Sequence, residues 1–202
     1  MAVATSDPAS AELLAAFAEL PTTVITDEMD RFGTLDSAFY PVWNGAKLCA
    51  QASTILTREG DNLGIHEYLS AAVPGRVAVV AGGGFLHRAL LGDLIAERAV
   101  NAGVAGFVVD GAVRDVSGIE SAGLPVFARS VNSAGPYKHG PFRLGVPVAV
   151  GGVVVREGDI ICGDADGIVV ISLEQAEEVL VRAQAKLQHE EETRGQLIAS
   201  RT

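Results

Sequence analysis

The chain has 202 residues, 49% of them hydrophobic, and a formal charge of −10. That is enough apolar material for one α/β domain with a substantial core over residues 1–202, and it excludes a disordered chain. The acidic balance and the scatter of basic residues argue against a nucleic-acid surface, though not against a basic protein partner.

No basic-then-apolar leader opens the chain, and no apolar run approaches the ~20 residues of a membrane span, so a soluble, cytoplasmic protein is expected. The first residues, about 1–10, read as frayed. Ala11 to Leu20 places Leu13, Leu14, Phe17 and Leu20 on one helical stripe that Pro21 ends. Val24 to Phe32 reads as a short helix with Thr22 or Thr23 as cap and Gly33 as stop; its acids Asp27, Glu28 and Asp30 read as a solvated face. Lys47 to Thr57 reads as a strand and Asp61 to Ala72 as a helix carrying His66, to which no role is assigned.

Arg76 to Ala81 is a Val-rich run with the character of a buried strand. Gly82-Gly83-Gly84 lacks the ending of a phosphate loop and reads as a tight loop, from which His87 and Arg88 could reach a site. Gly92 to Ala102 has helical spacing and Gly103 stops it. Val104 to Val109 is a second strand, and Asp110 to Asp115 a polar loop in which Asp110 reads as a turn residue.

Leu124 to Ala128 is a further short strand. Ser130 to Phe142 is a Gly- and Pro-containing loop that could cover a site or meet another subunit. Val146 to Val155 is apolar and broken at Gly151-Gly152. Ile160 to Cys162 and Ile168 to Ile171 read as a hairpin, because the Asp164-Ala165-Asp166-Gly167 turn lacks the remaining ligands of a calcium loop. Ser172 with Gln175 matches a capping box before a helix that ends at Glu190-Glu191-Glu192. Cys49 and Cys162 lie among apolar neighbours and read as buried free thiols, and no Cys/His spacing fits zinc.

Strand, helix, strand from Gly75 to Asp115 suggests a parallel βαβ crossover. Such a crossover brings the helix start and the end of the second strand to one sheet edge. The amides of Gly92, Asp93, Leu94 and Ile95 would then lie beside Arg114 and Asp115. A helix start suits a carboxylate or phosphate, and Arg114 can add a bidentate fork. Asp93 and Asp115 remain to hold a metal or handle protons. Alone, Asp93 reads as an ordinary helix-start acid and Arg114-Asp115 as a surface ion pair.

The spacing of Asp93, twenty intervening residues and Arg114-Asp115 resembles the signature of the class II pyruvate aldolases that act on 4-hydroxy-4-methyl-2-oxoglutarate and 4-carboxy-4-hydroxy-2-oxoadipate. The blocks VVDGAVRD, LPVFARS and GDIICGDADGIVVI follow in family order. The same superfamily includes the regulator of ribonuclease activity A. The resemblance implies a three-layer β/β/α fold of the swivelling-domain type, and a homotrimer or a hexamer with sites between subunits. It implies Mg²⁺ or Mn²⁺ held by Asp115, with an outer-shell acid from a neighbouring chain for which Glu190 or Glu191 is the match. It implies a small 2-oxo acid substrate bound at Gly92, Asp93, Leu94, Ile95 and Arg114, with Asp93 and Arg114 catalytic and an oxaloacetate decarboxylase side activity. The alternative is a non-enzymatic regulator that binds and inhibits a ribonuclease.

Overall fold

The computed structural model describes residues 8–201. Its elements run α1 (Ala11–Ala18), α2 (Thr22–Asp27), β1 (Tyr40–Pro41), β2 (Leu48–Thr57), α3 (Leu63–Ser70), β3 (Arg76–Leu91), α4 (Asp93–Asn101), β4 (Gly106–Val113) and α5 (Val116–Ser121). There follow β5 (Val126–Val131), β6 (Phe142–Leu144), β7 (Val148–Val150), β8 (Val153–Val155), β9 (Ile160–Asp164), β10 (Gly167–Ile171) and α6 (Ala176–Ala199).

The main sheet has the order β1-β5-β4-β3-β2-β9-β10, with β6 paired to β2. β2, β3, β4 and β5 are mutually parallel, as the crossover pattern requires, and antiparallel strands close both ends. Alternation sorts the central strands onto two faces. Ala78, Val80, Phe107 and Val109 face α3, α4 and α5 through Ile65, Ile95, Ala96, Ala99 and Ile119. Val77, Val79 and Val108 face the small β7–β8 sheet through Val148, Val150 and Val155. The layers are therefore sheet, sheet, helices, the β/β/α order expected. A third apolar cluster seats α1, α2 and α6 on β9 and β10 through Phe17, Ile25, Val169 and Val179.

Several local expectations change. Residues 1–7 of the expected frayed start lie outside the described residues. Further on, Ser10 caps α1, its Oγ accepting from the Leu13 amide at 3.1 Å. α2 includes Thr22, so neither Thr22 nor Thr23 is its side-chain cap. The carboxylate of Asp164 serves instead, accepting from the Thr22 amide and hydroxyl at 2.9 and 2.7 Å. An acid at a helix start is the favourable charge placement. The acids Asp27 and Glu28 are not simply solvated, for Lys186 approaches Asp27 at 3.1 Å and Arg182 approaches Glu28 at 4.0 Å.

The three glycines after Ala81 are not a loop. β3 runs on through them to Leu91, advancing five residues from Val80 to Phe85 while β4 advances two. Gly83 and Gly84 sit at φ of 70° and 67°, a region open to glycine, and let the strand bulge and continue. Asp110 to Val113 likewise belongs to β4, so only Arg114 and Asp115 leave the sheet. Asp110 is not a turn residue: with Asp36 it holds Arg129, which donates its Nε to Asp110 and both Nη atoms to Asp36. No capping box starts α6, because Gln175 is its cap and makes no side-chain bond there. That helix also passes Glu190-Glu191-Glu192 and continues to Ala199. Cys162 is buried as expected, but Cys49 is only half-buried.

Candidate active site

The β3–α4–β4 crossover ends at the edge where α4 begins. Here a cleft of ≈ 260 Å³ opens, and Gly92, Asp93, Leu94, Ile95 and Arg114 all line it. Asp115 lies beside this lining rather than in it. Its carboxylate meets Arg114 Nε at 3.2 Å, both side chains being 41% exposed. A β-carbon added to Gly92 would come within 2.6 Å of Asp115 Oδ2 and 3.2 Å of Arg114 Nε. The helix start is thus pressed against the Arg114-Asp115 pair, and only glycine leaves the space.

Two more glycines make similar approaches. A β-carbon on Gly118 of α5 would fall 2.5 Å from the β-carbon of Asp93, and one on Gly135 would fall 3.1 Å from Arg114 Nη1. Asp115 itself has φ 55° and ψ 46°, a left-handed conformation costly for a residue with a side chain. Its side chain makes no capping bond to α5 in return.

The helix-start amides are less free than the sequence suggests. Leu94 N donates to the carboxylate of Asp93 at 2.7 Å, and Ile95 N to Gly92 O at 3.1 Å. The amides of Gly92 and Asp93 remain as the donors this end of α4 can offer a ligand.

The far wall comes from α4, from the loop after β5 that was expected to cover a site or meet another subunit, and from α3, to which no role was assigned. α3 and the residue before it supply His66 and Asn62, α4 supplies Arg98, and the segment after β5 supplies Pro136 and Lys138. Asn62 Nδ2 donates to Leu90 O at 3.0 Å, while Asn62 Oδ1 and His66 Nε2 are buried without a partner among the described residues. Arg98 Nη1 and His66 Nδ1 are 2.7 Å apart. Arginine only donates, so Nδ1 accepts and the ring proton sits on Nε2. Burial, then the nearby Lys138 and Arg98 cations, hold His66 below the usual imidazole range. The neutral ring thus keeps a buried N–H that no group among the described residues accepts.

The segment carrying Pro136 and Lys138 is fixed by Asp61, which is fully buried. Its carboxylate accepts from Leu63 N at 2.9 Å, His139 N at 2.6 Å and Gly140 N at 3.0 Å. Burial pushes its pKa up, but these three amide bonds outweigh burial and leave it lowered.

Other candidates lie elsewhere. His87 is exposed against Phe85, and Arg88 is spent on Gly135 O and the Tyr137 ring and hydroxyl. Within its own chain Glu190 pairs with Lys186 at 3.3 Å and Glu191 is exposed. A larger groove of ≈ 410 Å³ lies at the other end of the sheet, against Cys49.

Residues 22–170 match the RraA-like family description, Aldolase/RraA. A protein of Halalkalibacterium halodurans provisionally named 4-hydroxy-4-methyl-2-oxoglutarate aldolase is 37% identical over 95% of this chain and 90% of its own. The chain belongs to the Aldolase/RraA family. Two solved structures in this family's range carry regulatory names. Streptomyces coelicolor RraAS2, described as an unusual member of the RNase ES inhibitor RraA family, superposes with a TM-score of 0.84 at 27% identity, over 94% of this chain and 99% of that one. The RNA-processing inhibitor RraA from Thermus thermophilis superposes at 0.70 with 31% identity, over 76% and 93%. The family thus spans two kinds of named function on one fold, and the site must separate them.

Proposed function

We propose that this family member cleaves 4-hydroxy-4-methyl-2-oxoglutarate-type 2-oxo acids to pyruvate, and decarboxylates oxaloacetate as a side activity. One observation carries the reading: in a chain of net charge −10, Arg98, Arg114 and Lys138 converge on one small cleft beside a helix start. That concentration of positive charge suits a substrate with two carboxylates.

The oxygen donors beside the cleft suit Mg²⁺ or Mn²⁺. Asp115 would hold the ion, with Asp93 reaching it through water. No cluster of three His, Cys, Asp or Glu exists among the described residues. Magnesium tolerates so few protein ligands because it keeps its waters and takes substrate oxygens. When bound, the ion supplies Lewis-acid polarisation of the substrate's keto and carboxylate oxygens.

The side chains then divide the work. The Gly92 and Asp93 amides receive the 2-oxo acid's carboxylate, and Arg114 donates to its keto oxygen. Arg98 and Lys138 receive the distal carboxylate. Asp93 positions the water that removes the proton from the C4 hydroxyl. The C3–C4 bond breaks, its electrons pass to the keto oxygen, and Arg114 counters that charge. A proton returned to C3 completes pyruvate.

The test is pyruvate release from 4-hydroxy-4-methyl-2-oxoglutarate and from oxaloacetate, with and without Mg²⁺. Asp115→Asn and excess chelator should each abolish both activities while the far-UV spectrum is unchanged, and chelation should reverse on adding metal. The second reading, a ribonuclease inhibitor, is favoured by the RraA names of the two structural relatives. It predicts no pyruvate from either substrate and inhibition of a ribonuclease by the wild-type chain.

A further inference from the structure

Cys49 and Cys162 are not separate buried thiols. They are directly opposite each other on antiparallel β2 and β9. Their sulfurs are 3.4 Å apart, with Cys162 Sγ donating to Cys49 Sγ. Opposed residues in an antiparallel pair have α-carbons ~4.5–5.5 Å apart, inside the ~4.4–6.8 Å that a disulfide spans. No strand has to move for the two sulfurs to bond.

The two sulfurs also differ. Cys162 is 3% exposed. Cys49 and Cys162 both border the groove of ≈ 410 Å³ that Leu20, Lys47 and Asp164 help to line, and Cys49, half-buried, is the more open of the two. The hydrogen bond from Cys162 favours the thiolate of Cys49 and draws its pKa down, against the effect of burial. The same bond and burial push Cys162 up. The more open sulfur is therefore the better nucleophile, and the buried one keeps its proton.

We propose that Cys49 and Cys162 form a peroxide-oxidisable dithiol, in which Cys49 reacts with a peroxide entering the groove and Cys162 resolves the product to an intramolecular disulfide. In the first step the Cys49 thiolate attacks one peroxide oxygen. An S–O bond forms and the O–O bond breaks. The leaving alkoxide or hydroxide takes up the proton that Cys49 gave away. In the second step Cys162 sulfur attacks Cys49 sulfur, the S–S bond forms, and the S–O bond breaks. Water leaves carrying the Cys162 proton. The two thiols lose two electrons in all, and the peroxide gains them.

The site is remote from the candidate active site. Cys49 precedes the point where β2 meets the first residue of β3, and the cleft opens where β3 ends. Its near neighbour is α1: Cys49 Sγ donates to Leu14 O at 3.3 Å. Oxidation removes that proton, so it loosens α1 from the sheet and leaves the cleft in place. The inference therefore stands apart from the reading of the cleft.

The experiment uses the full reduced chain, freed of reductant and treated with a small excess of hydrogen peroxide. Free thiols are alkylated under denaturing conditions and the intact mass is measured. The expected product has lost both free thiols and two hydrogen masses, yields a cross-linked Cys49–Cys162 peptide, and returns to two thiols with dithiothreitol. Cys162→Ala should leave a sulfenic acid on Cys49 that dimedone traps, and Cys49→Ala should leave Cys162 a thiol. Two alkylated thiols after peroxide, over-oxidation of Cys49 without a cross-link, or only intermolecular cross-links would each overturn the proposal. The wild-type mass decides alone, whether or not the variants fold.

Discussion

Asp93 and Arg114 make different demands on the same substrate. Arg114 is proposed to touch the keto acid before and during reaction, so Arg114→Lys, which keeps the charge but loses the planar fork, should weaken oxalate inhibition and lower kcat together. Asp93 is proposed to act on the C4 hydroxyl proton. Asp93→Asn should lower kcat for aldol cleavage by on the order of 10²–10⁴-fold with little change in oxalate inhibition. Oxaloacetate has no hydroxyl to deprotonate, so its decarboxylation should suffer less; equal losses in steady-state assays of both substrates would withdraw the role. That these two residues line one cleft was legible, because their spacing along one crossover brings both to the same sheet edge. His66 was not. A single histidine on an amphipathic helix carries no sign that Arg98 will engage one nitrogen and leave the other buried and unpaired. The crowding of Gly118 on Asp93 was equally silent, since it depends on how two helices meet.

Among the elements, β3 and the segment from Asn132 to Pro141 set the shape of the cleft. The parallel crossover could be read from apolar period and glycine stops. The continuation of β3 through three glycines could not, because the glycines that permit a bulge also permit a turn. The segment after β5 was legible only as a loop, since Asp61 ties it down from 78 residues away. Asp61→Asn replaces an acceptor of three amides with a group that is half donor. It should lower stability by about 2–4 kcal/mol, which for a chain of this size lowers Tm by roughly 5–15 °C in calorimetry. It should also raise KM by displacing Lys138. Because the folded pKa of Asp61 lies below its ordinary 3.8, its stabilisation is present above that value and lost as pH falls through the folded one. The variant's deficit should therefore shrink in acid, and denaturant titrations from neutral pH to below the folded value would show it.

For the whole molecule, the proposed metal draws only on Asp115 and Asp93 within one chain, and the cleft is open on one side. Glu191 is exposed on α6 and Glu190 half-exposed beside Lys186, where a neighbouring chain could receive them. A trimer or a hexamer is expected by light scattering, and a clean monomer at micromolar concentration would contradict it. Glu190→Gln with Glu191→Gln should then lower metal affinity without changing assembly, as metal titrations followed by activity would report. The layer order was within reach of the sequence through the family blocks. The length of α6 was not, because its end carries acids and exposed Leu197 and Ile198 instead of a glycine stop.

The crossover has a consequence for how the protein is made. Gly92 and Asp93 open α4 after β3, and Arg114 and Asp115 follow β4, all within one continuous stretch of the chain. The loop that joins them is short, so its closure costs little entropy and need not wait for distant partners. During synthesis the helix start proposed to bind the substrate carboxylate can take shape once β4 has emerged. The wall that carries Lys138 is added later, and β9 and β10, which close the sheet's other side, later still. In the proposed reaction the contact of Lys138 with the distal carboxylate is thus the last to be made, after those of Arg98 and the helix start.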